Sequence, residues 1–265
     1  MRRATLDLLR CPRCHAASLV PDGATPEPAL LFGPVRCLGC SSRYPVHEGL
    51  IDLVHERAKP SGVQQALELP WVARAWERYL RPAVGAVLTR GRLDLDSEYA
   101  AIHTMVGVPD GPVVDLGCGS GTFLRRLIRD FRDVPLIGVD VSRPMIEEAM
   151  AQVRENALAA DFVRALVPPL PFVDHSIAAI VATSFVHYVA DLDGLMAEVA
   201  RALKPRGRLV ATTYEATGLP KGVHASAGLH PRGELALRES AAKAGLIHFE
   251  RMKVRPFLIW KVELP

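Results

Sequence analysis

Pro112-Val113-Val114-Asp115-Leu116-Gly117-Cys118-Gly119-Ser120-Gly121 decides how the rest of this chain is read. A short apolar run carries an acid near its end and turns through three alternating glycines. It then enters Thr122-Phe123-Leu124-Arg125-Arg126-Leu127-Ile128, whose pattern is helical. Strand, tight turn and helix in that order let the main chain approach a ligand closely. They also leave unpaired N–H groups at the helix start to meet an anion. Dinucleotide-binding turns are related but are spaced G-x-G-x-x-G. Here the spacing is G-x-G-x-G, and Asp115 stands two positions before the first glycine.

Outward from that turn, Ile137-Gly138-Val139-Asp140 reads as a second apolar strand ending in an acid. Asp140 lies about 20 residues beyond the glycines, the distance at which a carboxylate accepts both hydroxyls of a ribose. Val141-Ser142-Arg143-Pro144-Met145 then turns into a helix. The stretch Val113 to Gly121 resembles the first signature of the class I S-adenosylmethionine (SAM) methyltransferases, and the resemblance extends to about residue 262. It implies an α/β, Rossmann-like sheet of seven strands with the last strand antiparallel, and SAM as cofactor. In that reading Asp115 anchors the amino end of SAM directly or through water. Gly117, Cys118 and Gly119 line the cofactor, Cys118 through its main chain. Asp140 and Val141 hold the ribose edge, and Met145 packs on the adenine.

The segment Phe162 to Phe172 resembles the family's third-strand region with one departure. Leu166 stands where relatives carry the aspartate that receives the adenine amine, so backbone groups at Ala165 and Leu166 are the expected contacts. Ile177 to Thr183 is a fourth apolar strand, and ligands of open α/β sheets bind beyond such carboxyl ends. That places Ser184 at the cofactor and His187 and Tyr188 at the chemistry. His187 is a candidate general base toward a hydroxyl, amine or activated carbon, or else a residue that only shapes the cleft; Tyr188 and Tyr214 carry the same ambiguity. Leu195 to Val210 reads as helix, turn and fifth strand. It is closely similar to the quinone-biosynthesis type of methyltransferase, with Arg206 replacing a usual glycine. No Asn-Pro-Pro-Tyr-like motif follows the fourth strand, which argues against amine methylation of nucleobases or glutamine. Glu234 to Ala244 fits a last helix, closed by Gly245 before a terminal hairpin.

Ahead of this domain stand two pairs, Cys11-Pro12-Arg13-Cys14 and Cys37-Leu38-Gly39-Cys40. Two C-x-x-C turns can direct four thiolates at one cation, and a closed sulfur shell makes that cation a structural zinc. Redox dithiols and disulfides are the rival readings; neither suits a chain with no readable secretory signal. Residues 5 to 55 resemble the small zinc-ribbon proteins that activate tRNA, rRNA and protein methyltransferases as separate subunits. The resemblance implies a stabilising or docking module fused in cis. Lys59-Pro60-Ser61-Gly62 is turn chemistry, so the expected units are a zinc ribbon over 1–58, a linker and helical lid over 59–110, and the methyltransferase domain over 111–265. In Trp71 to Pro82, Val72, Trp76 and Tyr79 or Leu80 follow helical spacing, which predicts one helix with a buried aromatic face. That face could pack between ribbon and catalytic domain; the stretch is also similar to the helix that precedes the core in ribbon-fused relatives, which implies that it would cover the cofactor cleft. Ser97 to Val106 reads as the helix feeding the first strand.

A chain of 265 residues with 23% charged and 49% hydrophobic residues is an ordinary globular composition, without repeats or low-complexity tracts. The most apolar stretch, around Ile177 to Val189, falls far short of the ~20 residues a bilayer span needs, so a cytoplasmic protein with no membrane partner is expected. The net charge of +3 is concentrated in residues 1–92, where 13 Lys/Arg face 8 Asp/Glu. Three functions remain open: methyl transfer to a small molecule, methyl transfer to RNA or protein gripped by the ribbon, and non-catalytic SAM binding.

Overall fold

The first apolar runs of the chain form four short strands, β1 (Leu19–Pro21), β2 (Phe32–Cys37), β3 (Arg43–His47) and β4 (Leu50–Asp52), preceded by one helical turn, α1 (Arg3–Leu6). The computed structural model describes residues 1–23, 30–54, 62–215, 224 and 227–265. After them come α2 (Val63–Leu67), α3 (Pro70–Ala75), a π-helical turn (Trp76–Leu80), α4 (Arg81–Thr89) and α5 (Leu95–Val106). The expected domain boundary at Lys59 to Ser61 lies outside the described residues.

The alternating core begins at β5 (Val113–Leu116), followed by α6 (Thr122–Asp130), β6 (Leu136–Asp140), α7 (Arg143–Glu155) and β7 (Asp161–Arg164). It continues through β8 (Ile177–Thr183), α8 (Leu192–Ala202), β9 (Leu203–Tyr214), α9 (Glu234–Lys243) and the hairpin β10 (Ile247–Val254) and β11 (Phe257–Glu263). The sheet order is β1-β2-β3-β4-β7-β6-β5-β8-β9-β11-β10. Its seven strands from β7 to β10 form the expected methyltransferase sheet, with β11 running antiparallel between β9 and β10. β5 and β8 are buried along their whole length, which is why both read as unbroken apolar runs: a parallel strand is covered on both faces. The pleat divides them. Val113, Ala179 and Val181 join α5, α6 and α7 on one face, and Val114, Ile180 and Ala182 join α8 and α9 on the other.

The amino-terminal strands do not stand apart. β4 pairs in parallel with β7, Leu50 opposite Phe162 and Asp52 opposite Arg164, so the ribbon lengthens the catalytic sheet to 11 strands. Leu6, Leu9, Ile51 and Leu53 share one core with Val163, Leu170 and Phe172. Polar ties reinforce the seam. Arg2 Nε donates to Asp161 at 2.6 Å, Arg10 to Glu198 at 2.7 Å and Arg164 to Asp52 at 2.9 Å. A segment this small cannot bury enough apolar surface alone, and here it borrows the edge of the larger sheet.

Two expectations are corrected. The turn expected at Lys204 to Gly207 is absorbed into β9 as a bulge: Ile177 faces Leu203 and Ala179 faces Arg208, leaving Arg206 at φ 66° to make the bend. The helix expected over Trp71 to Pro82 is interrupted. The π turn at Trp76–Leu80 adds a residue to the helical repeat and rotates the helix beyond it, so Val72 is buried while Trp71 and Tyr79 are exposed. Of the face expected to be covered, Val72 is buried, Trp76 and Leu80 are half-buried with Trp76 lining the cavity described below, and Tyr79 is exposed.

Candidate active site

The glycine turn earns its residues sterically. Gly117 sits at φ 73°, where a Cβ would lie 2.5 Å from Phe185 Cδ2, so a side chain there would be both strained and obstructed. Gly119, at φ 52°, donates its N–H to Asp140 Oδ2 at 2.9 Å, and Ser142 N donates to Oδ1 at 2.9 Å. These two bonds tie the first loop to the end of the second strand. One lone pair on each carboxylate oxygen is left for a further donor. Burial pushes the Asp140 carboxyl above its ordinary pKa, and backbone donors at Ser142 and Gly119 work against that shift.

A cavity of about 1090 Å³ opens at this junction. Leu116, Gly117, Cys118 and Gly119 form one wall; Asp140, Val141 and Met145 form the next. Ala165 and Leu166 face them, and Ser184, His187 and Tyr188 close the side beyond β8. The sequence candidates thus converge, with one exception: Asp115 does not reach the cavity. It is 1% exposed, and among the described residues neither carboxylate oxygen has a hydrogen-bond partner. Burial raises its pKa to about 7, against the pull of Arg81 and with a push from Asp140. The Cys118 thiol is also held up, by burial and then by Asp140 and Asp115, which keeps it protonated and unsuited to attack.

Beyond the glycine loop the cavity has two poles. At one, Arg81 lies over the Phe123 ring at 4.3 Å and pairs with Glu98 at 3.4 Å, while Glu77 of the same lid segment pairs with Arg125. Ser120 Oγ is buried there without a partner among the described residues. At the other pole stands an aromatic group. His187 lies 4.8 Å from Tyr188 and 6.2 Å from Tyr214, and Tyr214 lies 5.8 Å from His224. Burial lowers the His187 pKa to about 4, and its Nδ1 accepts from Tyr214 N at 3.4 Å. The proton of the neutral ring is then on Nε2, and His187 is a poor base. His224, which no sequence argument singled out, also lines the cavity; its buried Nε2 has no partner among the described residues. No motif surrounds it, and only the fold carries it to Tyr214 at the end of β9. Arg81 and Glu98 were likewise invisible as site residues until the lid was placed.

The four amino-terminal cysteines pass a geometric test for metal. Their Sγ atoms lie within 4.8 Å of one another, with Cys11–Cys40 and Cys14–Cys37 at 3.6 Å each. A tetrahedron with Zn–S bonds of about 2.3 Å has edges of about 3.8 Å. Each C-x-x-C turn is closed by a backbone bond, His15 N to Cys11 O and Ser41 N to Cys37 O, both 2.9 Å, with His15 and Ser41 left-handed. Four sulfurs leave no position for a substrate, so the donor set suits a structural zinc.

Strand order, glycine turn and the cavity-side Asp140 carboxylate are those of SAM-dependent methyltransferases of α/β fold. Residues 113–207 match the family model described as a methyltransferase domain. Along nearly its whole length the chain is similar to an uncharacterized chloroplastic methyltransferase of Arabidopsis thaliana, 25% identical over 99% of this chain and 80% of that one. A ubiquinone/menaquinone biosynthesis C-methyltransferase of Desulfotalea psychrophila is 33% identical over 38% of this chain and 40% of its own. The fold is also that of phosphoethanolamine N-methyltransferase 2 of Haemonchus contortus in complex with SAM. That structure superposes with a TM-score of 0.65 at 15% identity, over 84% of this chain and 62% of that one.

Proposed function

We propose that this chain transfers the methyl group of SAM to a small, largely apolar acceptor bound in the same cavity as the cofactor. The observation that carries the reading is the cavity's shape and lining. It runs from the Gly117–Gly119 turn past Asp140 to a chamber walled by Phe185, Tyr188, Val189, Tyr214, Leu229 and Phe257. Gly117, Cys118 and Gly119 would hold the amino-acid end of SAM, Asp140 and Val141 its ribose, and Met145, Ala165 and Leu166 its base. Ser184 would border the sulfonium. Asp115 would act from below, through the position of the loop.

SAM supplies an already electrophilic methyl carbon, so the protein's task is to hold an acceptor in line and keep water out. His187 and Tyr188 fit that task as shape and hydrogen-bond donors, not as bases. Burial, with Asp140 next, raises the Tyr188 pKa, so its hydroxyl stays protonated. The likeness of the core to quinone-biosynthesis enzymes agrees with an apolar ring-bearing acceptor. A macromolecular substrate would need an open basic groove joining ribbon and cleft, and the ribbon is instead committed to the sheet edge through β4. Radiolabelled SAM offered with a small-molecule extract and, separately, with total RNA tests the reading. Label is expected in organic-soluble products; label confined to RNA or to protein would overturn it.

A further inference from the structure

Apolar side chains left in water are unevenly spread on this molecule. Among the described residues, six of the 14 large apolar side chains that are exposed fall within Leu69 to Leu88: Leu69, Trp71, Tyr79, Val84, Val87 and Leu88. Val87 is 76% exposed, Trp71 61% and Tyr79 60%. Between Arg81 and Arg90, α4 holds no charged residue, and Ala83, Val84, Ala86, Val87 and Leu88 are all exposed. A free helix face of this composition is destabilised by contact with water, at about 25 cal/mol per Å² of apolar surface.

The charges around it are of one sign. Residues 69–93 contain five arginines and one acid, Glu77, which is already paired with Arg125 inside the molecule. Arg74, Arg78, Arg90 and Arg92 are exposed and carry no ion pair among the described residues. Arg78 lies 5.4 Å over the Tyr79 ring. Apolar helix, interfacial Trp and Tyr, and uncompensated arginine are the features of a segment that lies in a lipid surface. Val84 and Leu88, one turn apart, are both exposed and both line the cavity, so this face is also its rim.

We infer that the lid, residues 69–92, docks on an anionic phospholipid surface, so that an apolar acceptor reaches the cavity past Val84 and Leu88 without crossing water. The acceptor half of the inference rests on the function proposed above; the docking half does not. A second copy of the chain fits this face less well, because a two-fold contact would set arginine cluster against arginine cluster. The contact is a seat, not a span: α4 has nine residues, and no described helix is long and apolar enough to cross a membrane. A membrane contact departs from the sequence expectation of no membrane partner, since composition cannot reveal which helix face a fold leaves uncovered.

Co-sedimentation of the full-length protein with phosphatidylcholine vesicles, with and without phosphatidylglycerol, tests the inference. Binding is expected to the anionic vesicles and to weaken as salt rises. Trp71→Ser and Val87→Asp, neither of which lines the cavity, should each lower the bound fraction about tenfold. SAM binding by calorimetry should be unchanged in both, which also shows that they fold. Wild-type protein that stays in the supernatant, or variants that sediment as well as it does, would overturn the inference. So would a solution dimer that Val87→Asp dissociates, because the face would then belong to a second copy. Protein that binds vesicles but not SAM would leave the docking intact and remove the proposed function.

Discussion

Asp115 and Asp140 belong to one sequence pattern, yet the fold treats them differently. Asp140 sits at the cavity with two backbone donors, and Asp115 is sealed behind the loop with none among the described residues. Asp140→Ala should weaken SAM binding by about ten- to a hundredfold in calorimetry, as expected for the loss of hydrogen bonds to a charged acceptor. Asp115 bears on stability. Its folded pKa of about 7 exceeds the ordinary 3.8, so between those values the folded chain keeps a proton that the unfolded chain has released. Its contribution therefore falls as pH rises through that window, by up to about 4 kcal/mol. Asp115→Asn should remove the fall, and thermal unfolding should show the variant gaining on wild type from about pH 4 to about pH 7 and no further above it. His187 has the opposite sign, lowered to about 4, and it is neutral throughout the working range. His187→Gln should leave the shape of the kcat/KM profile unchanged above about pH 6; loss of a limb near neutrality would restore His187 as a base. A sequence names such residues but not their burial, which is why Asp115 has the look of a ligand there and His224 has no signal at all.

Individual elements were legible where their pattern is local. β5, the glycine turn, α6 and β6 follow from spacing alone, and so do α9 and the terminal hairpin. The lid did so only in part, because a π turn breaks the expected single helix and leaves Tyr79 exposed, and no propensity announces that turn. Nor did the partnership of β4 with β7, which joins residues more than 100 positions apart. That pairing gives the ribbon a consequence. Ala165 and Leu166 follow directly on β7, so metal removed from the cysteines should be felt at this wall of the cavity as well as in the ribbon. One zinc per chain is expected by elemental analysis. Chelation, or Cys37→Ser, should lower the melting temperature and weaken SAM binding together. Intact SAM affinity after chelation would show that the sheet edge holds without the metal.

At the scale of the molecule, one continuous sheet carries a four-cysteine cluster fit for zinc at one end and an apolar, arginine-edged lid above its carboxyl ends. The sequence implied both modules but portrayed them as additions to a domain; the packing makes the ribbon part of that domain's sheet and core. A ligand that binds only the folded chain stabilises it by mass action, so SAM at a hundred times its dissociation constant should add about 2.7 kcal/mol to unfolding. The central claim is that the Gly117–Gly119 bend and the Asp140 carboxylate grip one adenosyl group. Titration of S-adenosylhomocysteine into wild-type protein and Asp140→Ala by calorimetry tests it most directly. The account predicts one site per chain in the wild type and sharply weaker binding in the variant; no heat in the wild type, or equal affinity in both, would contradict it.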